Sequence, residues 1–338
     1  MRRLALKSPE RGGADVRERA FATSEPATAF QHEAFLYAGH EQFLAGTTAF
    51  IRGALAADEA VLVAVVEPRA SLLREALEAD AERVEFLDMA TVGRNPARII
   101  PAWQEWVERH AAGGRGFRGI GEPVWTGRSA REIVEYQRHE QLLNTAFDDG
   151  PGWWLLCPYD TAGLPGPVIS RAHDTHPSLI ADDARVGSAS YPHPELSAEA
   201  MLSDPLEDPA GTVHEIVFDV DGLTELRKKV GAFAEAVLGY DGAEHVVLVV
   251  NELATNSIVY GGGAGTLRMW REDAAVVCET RDRGVITDPL VGRRRPCSAV
   301  RGKAGLWIAN QLSDLLQIRS APGTGTVVRA HLGGGGWT

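Results

Sequence analysis

Runs of apolar, often β-branched residues alternate with amphipathic segments along the first half of the chain. Four runs have the character of buried strands, at residues 60–66, 84–89, 117–125 and 153–160. Between two of them, residues 99–110 repeat apolar side chains at the spacing of one helical face. Strands that alternate with helices favour a parallel sheet covered on both faces. This half is therefore predicted to be an α/β domain.

In the second half of the chain, strands and helices are grouped rather than alternating. The predicted elements are a strand at residues 214–220, helices at 223–239, 242–261 and 305–316, and strand hairpins at 265–284 and 315–332. Gly239 and Gly261 stand where the first two helices should end. Grouped elements favour an α+β sandwich, with helices on one face of a mixed sheet.

Composition marks the borders of the two predicted domains. Residues 187–211 are rich in proline, serine and acidic residues and have no apolar period, which predicts a linker. The α/β domain then spans residues 30–186 and the α+β domain spans 212–332. The basic residues 1–29 are expected to be a disordered lead-in, and 333–338 a flexible tail.

Charge and composition argue against several classes of protein. Of the 338 residues, 44% are hydrophobic and 24% are charged, as in ordinary globular proteins. The formal net charge of −12 argues against broad, direct nucleic-acid binding. No apolar run approaches the ~20 residues of a membrane span, and the first residues lack a signal-peptide core. The lack of such a run predicts no membrane partner. Cys157, Cys278 and Cys297 are few and scattered, which fits a reducing cytoplasm.

One polar pair interrupts the apolar pattern of the second predicted helix of the α+β domain. Glu252 and Asn256 are four residues apart, so they share one helical face, while Val249, Val250 and Leu253 point elsewhere. Taken alone, the pair is most simply a solvated stripe. A nucleotide offers an alternative role, because an amide oxygen can help to hold Mg²⁺ and a carboxylate can deprotonate a hydroxyl.

Later motifs suit the other parts of a nucleotide. Asp282 closes an apolar strand and is followed by Gly284, so a carboxylate can accept a bond from adenine beside an open backbone. The glycine-rich entry to a helix at residues 302–307 can offer N–H groups to phosphates. Five basic residues near this segment have two possible explanations. They either belong to an exposed loop without a specific role, or they neutralise phosphates or contact a partner: Arg293, Arg294, Arg295, Arg301 and Lys303.

The order of these motifs resembles the GHKL ATPase family, with its Bergerat ATP-binding sandwich, and most resembles the RsbW-type serine kinases that act as anti-sigma factors. The resemblance implies ATP and Mg²⁺ as cofactors. It makes Glu252 the general base and Asn256 the magnesium ligand. Besides Asn256, it implies these cofactor-binding residues: Asp282, Gly284, Gly302, Lys303, Gly305, Leu306 and Thr326.

The first domain resembles the MEDS sensory domain, through residues 31–55, the sequence GIGEPVW and the sequence LLCPYD. That family implies a RecA/KaiC-like parallel sheet without a phosphate-binding loop, and a role in sensing small molecules. No G-x-x-x-x-G-K-[ST] motif occurs in the chain. A MEDS domain before an RsbW-like domain resembles the RsbA-type anti-sigma regulators of actinobacteria.

Polar residues near the predicted strand ends form a candidate sensory pocket, although ordinary packing would explain any one of them. They are His32, Tyr37, Glu122, Trp125, Cys157 and Asp160.

Two other motifs are interpreted as structural. The G-x-G-x-x-G match at residues 114–119 leaves a helix and enters a strand, so it is predicted to be a turn. The HDTH sequence at residues 173–176 lacks a second pair at zinc-like spacing and is predicted to be a solvated loop.

The leading hypothesis is a cytoplasmic anti-sigma factor and serine/threonine kinase that serves transcription regulation in a stress response. By resemblance, it would sequester an alternative sigma factor and phosphorylate a STAS-type anti-anti-sigma partner, under control of a small-molecule ligand on the first domain. A homodimer is a further expectation from the same resemblance.

Two alternatives stay open at the level of sequence. Ile286 and Ala304 depart from the family pattern, which favours a non-catalytic docking module that keeps the ATP fold. A sensor histidine kinase would need an acceptor histidine on a helix. The linker offers His193, but the prolines on both sides of it oppose a helix.

Overall fold

The computed structural model describes residues 27–191, 200, 202–296 and 304–333, and these form two compact units. The first unit is built from the described residues 27–90, 106–129 and 147–191. The second unit takes residues 91–105 and 130–146 together with the described residues from 200 onward. Each unit has its own sheet and its own apolar core.

A seven-stranded sheet in the order β3-β2-β4-β5-β1-β6-β7 forms the centre of the first unit. Its strands are β1 Gln31–Tyr37, β2 Ala60–Val65, β3 Glu85–Asp88, β4 Phe117–Gly121, β5 Trp154–Asp160, β6 Ser178–Ala181 and β7 Ala184–Gly187. All neighbours are parallel except β6 and β7, which form an antiparallel hairpin at one edge. The four strands expected from the apolar runs are confirmed, and the sheet is parallel-rich as predicted.

Strand β1 was not among the predicted strands, although it lies inside the sheet between β5 and β6. Its sequence QHEAFLY carries His32 and Glu33 at the start, so it lacks the continuous apolar run of a buried parallel strand. Both polar side chains are nevertheless buried, at 2% and 3% exposure. Ser178 and Arg185 bind the Glu33 carboxylate there.

Helices fill the connections between these strands. They are α1 Gly39–Ala56, α2 Arg69–Leu77, α3 Met89–Val92, α4 Ile99–Ala111, α5 Ala130–Phe147 and α6 Gly166–Thr175, with 3-10 turns at Glu78–Arg83 and Pro96–Arg98. The predicted helix at 99–110 is confirmed as α4. Apolar side chains of α1, including Phe50 and Ile51, pack with Val63 of β2 and Trp154 of β5 in the core. Each such side chain contributes about 1.5–3 kcal/mol by burial.

The second unit is built on a five-stranded sheet in the order β11-β12-β10-β9-β8. Its strands are β8 His214–Asp219, β9 Ala264–Glu272, β10 Ala275–Asp282, β11 Leu315–Ala321 and β12 Gly325–Gly333. Every pairing in it is antiparallel, so the predicted mixed sheet is wrong. One helical crossover returns the chain in its original direction and so gives a parallel pair of strands. Two successive helical segments join β8 to β9, and because they reverse the chain once more, β9 runs antiparallel to β8.

Those two segments form α7, Leu223–Tyr260, which is broken at Gly239. Gly239 has φ 75° and ψ −178°, a conformation that strongly favours glycine, so the predicted helix stop is confirmed. The part after the break buries Val246, Val249, Val250 and Leu253 against the sheet. The last helix, α8, spans Gly305–Leu312.

No helix in the described ranges is both long enough and apolar enough to cross a lipid bilayer.

Candidate functional site

Glu252 and Asn256 lie one turn apart on α7, on the side away from the valine and leucine side chains of the core. Both are half-buried. Gly305, the first residue of α8, lies directly against them. A methyl group at Gly305 would stand 3.0 Å from Glu252 Oε2 and 3.1 Å from Asn256 Nδ2. The positive end of the α8 dipole therefore lies beside this acidic and amide pair.

The Asn256 amide has an unsatisfied group. Its Nδ2 atom is buried and has no hydrogen-bond partner among the described residues. Because amide oxygen and nitrogen exchange places by a half-turn of the side chain, this position can present the oxygen instead. A buried amide without a partner costs free energy, so a ligand that contacts Asn256 would recover it. The amide oxygen fits Mg²⁺, which prefers oxygen ligands.

Asp282 forms a second polar centre, at the end of β10. Ser257 Oγ donates to Asp282 Oδ2 at 2.7 Å, and the Gly284 amide donates to Oδ1 at 2.8 Å. The two hydrogen bonds fix the plane of the carboxylate. Each carboxylate oxygen still has a lone pair, which can accept a hydrogen bond from a ligand such as an adenine amino group.

Two glycines allow the close approach that this centre needs. A Cβ at Gly261, the cap of α7, would overlap the Asp282 side chain at 2.4 Å from Cγ. A Cβ at Gly284 would stand 2.7 Å from the Tyr260 carbonyl oxygen. The end of α7 and the end of β10 therefore meet closely only because neither position has a side chain.

Thr326 supports the same centre from the neighbouring strand, opposite Asp282 in the β10–β12 register. Its Oγ1 donates to the Gly284 carbonyl at 2.9 Å and lies 2.8 Å from Ser320 Oγ. Ser320 Oγ in turn accepts from the Ile286 amide at 2.8 Å. Strands β11 and β12 thus hold the loop that follows Asp282, including the position where the family pattern would have glycine.

The predicted glycine-rich entry to the last helix, here called the lid, falls partly outside the described part of the chain. Gly302 and Lys303 lie in residues 297–303, which the structure does not describe, and Arg301 and Cys297 do as well. Gly305 and Leu306 open α8, and Leu306 packs partly against the core of the second unit.

Among the arginines before the lid, Arg293 is buried at 8% exposure, so an exposed position is wrong for it. Arg294 and Arg295 are exposed. Burial lowers the pKa of Arg293 from its ordinary value, and attraction from Glu135 opposes that effect. Gly292, at φ 70°, turns the chain just before it and its carbonyl accepts from Asn310 of α8 at 2.9 Å.

Sequence reasoning missed Ser257, Ser320 and the close approach of Gly261. Ser257 follows Asn256 directly, but its position on α7 became meaningful only once Asp282 was placed beside it. Gly261 was interpreted as a helix stop alone. Ser320 lies inside a strand, where its sequence neighbours offer no sign of a contact with the loop after Asp282.

The six residues of the predicted sensory pocket divide into separate groups in the first unit. Tyr37, Glu122 and Asp160 meet around Arg69, which forms ion pairs with both carboxylates and lies 5.7 Å from the Tyr37 ring centroid. Sequence analysis missed Arg69. Burial raises the pKa of Tyr37 above its ordinary value, and the charge of Arg69 opposes part of that rise.

His32 and Cys157 form the second group. His32 lies at the start of β1 and Tyr37 at its end, about 16 Å away at the rise of a strand. Cys157 is buried in β5, and its Sγ lies 3.3 Å from His32 Nε2. For Trp125, a contact is found with the Arg128 guanidinium, 3.4 Å from its ring centroid.

The structure also bears on the motifs that were predicted to have no binding or catalytic role. Gly114 adopts φ 68° in the turn between α4 and β4, so the predicted turn is confirmed. His173–Thr175 end the helix α6 and His176 is fully buried, so the predicted solvated loop at residues 173–176 is wrong. His193 lies outside the described residues.

Two family models match the chain. Residues 31–177 match the MEDS family, described as the methanogen/methylotroph, DcmR sensory domain. Residues 216–332 match the histidine kinase-like ATPase domain.

The other comparisons add little. No curated protein shows significant similarity to the chain. Among solved structures, the ATP synthase subunit NeqB from Nanoarcheaum equitans is similar over 75% of this chain and 70% of its own, at 10% identity and a TM-score of 0.35. A likeness at that level does not bear on the function of this chain.

Proposed function

We propose that this chain, which is a MEDS sensory domain followed by a histidine kinase-like ATPase domain, is an ATP- and Mg²⁺-dependent protein serine/threonine kinase. The observation that carries the proposal is the approach of Gly305 to Glu252 and Asn256. It puts a helix N-terminus, a carboxylate and an unsatisfied amide within one small volume. Those are the groups that phosphoryl transfer requires of a protein, since the catalysis is mostly positioning and electrostatics.

Each end of this site has a proposed role. Asp282, held by Ser257 and Gly284, accepts a hydrogen bond from the adenine amino group. Asn256 holds Mg²⁺ through its amide oxygen, and that ion would neutralise phosphate charge when bound. The N–H groups at the start of α8 face the phosphates.

Glu252 has the role of general base in this proposal. Its carboxylate takes the proton from the hydroxyl of the acceptor serine or threonine, so that the oxygen can attack the γ-phosphorus. Because Glu252 and Asn256 are one turn apart, the base and the magnesium ligand are held in fixed relation by the same helix.

The finer biological role rests on the family resemblance. We propose a GHKL-type sandwich that sequesters an alternative sigma factor and phosphorylates a STAS-type anti-anti-sigma factor, in a cytoplasmic RsbA-type regulator. A RecA/KaiC-like first domain would adjust that activity through a small-molecule ligand, and the ATPase domain would form a homodimer.

The first test compares Glu252→Gln and Asn256→Ala with the unaltered chain. Isothermal calorimetry with ATP, with and without Mg²⁺, should show magnesium-dependent binding that Asn256→Ala loses and Glu252→Gln keeps. Phosphate transfer to a candidate anti-anti-sigma protein should fall about 100-fold or more in Glu252→Gln, as expected for loss of a general base.

Matched controls lie on the same helix. Glu244 is exposed two turns before Glu252, and Asn251 bonds to Arg227 rather than facing Gly305. Glu244→Gln and Asn251→Ala should therefore bind and transfer normally. Full phosphate transfer by Glu252→Gln would contradict the role of Glu252 as general base. Absence of ATP binding by the unaltered chain at millimolar ATP would contradict the kinase proposal.

A non-catalytic docking module is the second candidate. It is favoured by Ile286, whose amide is tied to Ser320 at a position where the family pattern would have glycine. Tight binding of a sigma or anti-anti-sigma partner, without phosphate transfer by the unaltered chain, would establish this alternative.

A further inference from the structure

Three potential metal-binding side chains from distant parts of the sequence meet inside the first unit. His32 lies on β1, Cys157 lies on the adjacent strand β5, and His176 follows α6. Their exposed fractions are 2%, 1% and 0%. Histidine is only intermediate in its tendency to be buried, so two fully buried imidazoles beside one buried thiol form an unusual interior.

The spacing of their donor atoms is compatible with one metal ion. The ligand atoms of the three side chains all lie within 4.8 Å of one another. A common centre therefore lies within about 2.8 Å of each, close to zinc bond lengths of about 2.0–2.3 Å. Cys157 Sγ and His32 Nε2 are 3.3 Å apart, and tetrahedral zinc holds sulfur and nitrogen ligands about 3.5 Å apart.

The hydrogen bonds of His176 orient its ring for such a role. Its Nδ1 lies 2.9 Å from the Ala172 carbonyl oxygen, one helical turn earlier, and 3.0 Å from Thr175 Oγ1. Because a carbonyl oxygen can only accept, Nδ1 is the donor in the bond to Ala172. Since a neutral imidazole carries one N–H, this bond leaves the lone pair on Nε2. Metal-binding histidines are commonly held by a backbone carbonyl in this way. The His176 ring also lies beside that of His32, at 4.1 Å between centroids.

We propose that His32, Cys157 and His176 bind a zinc ion in the MEDS domain, independently of the nucleotide site. Two imidazoles and a thiolate are borderline and soft donors, which suit Zn²⁺ and disfavour Mg²⁺ or Ca²⁺. Three protein ligands are enough for a zinc site when another group completes the coordination.

Formation of the site is coupled to proton release. The Cys157 S–H bond breaks, the sulfur bonds to zinc, and the proton passes to solvent. Both histidines must be neutral to bind. Affinity should therefore fall as the pH is lowered, and calorimetry in buffers of different ionisation enthalpy should detect proton release on zinc binding.

The test uses the untagged full-length chain, stripped with chelator and then given Zn²⁺. One zinc per chain should bind, as measured by mass spectrometry of the metal. His176→Gln should weaken binding by more than the roughly 10–100-fold that loss of an outer hydrogen-bond partner costs. Its matched control is His173→Gln, three residues earlier on α6, which should bind zinc normally.

A cobalt measurement keeps the proposal testable if His176→Gln fails to fold. Co²⁺ added to the stripped wild-type chain should give a thiolate-to-cobalt charge-transfer band that Zn²⁺ displaces. The band should persist in Cys278→Ala, which removes a buried thiol of the second unit, and vanish in Cys157→Ser. Absence of the band in the wild-type chain, or retention of stoichiometric zinc by a folded His176→Gln variant, would overturn the proposal.

Discussion

Gly305 shows how a single absent side chain shapes the proposed nucleotide site. The residue opens α8, where it lies against the Glu252 carboxylate and the Asn256 amide. Contacts of 3.0 and 3.1 Å for an added Cβ are closer than ordinary van der Waals separation. A methyl group there would push both side chains, or the start of the helix, by a few tenths of an ångström.

We therefore predict that Gly305→Ala weakens ATP binding about tenfold, equivalent to about 1.4 kcal/mol, through displacement of the groups that we propose to contact the phosphates and Mg²⁺. Calorimetry with Mg²⁺–ATP measures the effect. Gly231→Ala is the control, because an added Cβ would meet Val247 at an ordinary 3.5 Å. That variant should bind ATP normally and gain about 0.5–1 kcal/mol in stability from helix propensity. An unchanged affinity of Gly305→Ala for Mg²⁺–ATP would show that Gly305 does not lie in the nucleotide site.

At the scale of elements, strand β10 joins its neighbours through charges as well as backbone bonds. Glu279 is fully buried, and its Oε1 accepts from Arg268 of β9 at 2.9 Å and from Arg281 at 2.8 Å. Its Oε2 accepts from Arg329 Nε of β12 at 2.8 Å. Burial alone would raise the pKa of Glu279, but the arginine hydrogen bonds and charges lower it below its ordinary value.

Glu279→Gln should destabilise the second unit by about 3 kcal/mol at pH 7, since it leaves the buried Arg329 guanidinium without its charged partner. The folded-state pKa is depressed, so the stabilisation is present above the unfolded value of 4.5 and is lost as the pH falls through the folded pKa. The wild-type and variant stabilities should therefore converge in acid. Chemical denaturation at several pH values measures this, with the exposed Glu235→Gln as control. A difference in unfolding free energy between the wild-type chain and Glu279→Gln that stays constant down to pH 3 would contradict the role assigned to the Glu279 carboxylate.

At the scale of the whole molecule, one buried histidine should govern how the second unit responds to mild acid. His331 of β12 lies 3.2 Å from Gln317 Oε1. Burial lowers its pKa from 6.5 to about 4, with Glu272 opposing the shift and Arg131 and Arg329 adding to it. Between those two values the unfolded chain binds a proton that the folded unit does not. Stability therefore falls as pH drops from 6.5 to about 4.

The expected loss is about 1.4 kcal/mol per pH unit, or roughly 3 kcal/mol in total. His331→Gln should remove this part of the pH dependence, and His245→Gln on α7 should not. Differential scanning calorimetry across pH 4 to 7 makes the comparison. An identical pH slope in His331→Gln and the wild-type chain would show that other groups control the response.

Much of the architecture followed from local pattern. The breaks at Gly239 and Gly261, the β11–β12 hairpin and the four apolar strands were predictable because each depends on residues close in sequence. The antiparallel sheet was not, since strand direction depends on how many helices connect two strands. Strand β1 was missed because its buried His32 and Glu33 make a central strand look like a surface segment.

Parts of the candidate sites depend on contacts that no local pattern contains. Glu252 and Asn256 could be singled out by their four-residue spacing. Ser257 and Gly261 could not, because their importance comes from Asp282, about 25 residues further along the chain. His176 was assigned to solvent for the same reason, since its neighbours His32 and Cys157 lie on separate strands.

On α7, the residues that pack in the core differ from those that face the proposed nucleotide site, and this has an evolutionary consequence. Val249, Val250 and Leu253 pack in the core, whereas Glu252 and Asn256 face Gly305, so no side chain serves both purposes. A single nucleotide substitution converts a glutamate codon to glutamine or lysine. A lineage could therefore lose the proposed base in one step and retain a folded domain. Descendants that had turned from kinase to scaffold would differ from active relatives at this one codon before they differed anywhere in the core.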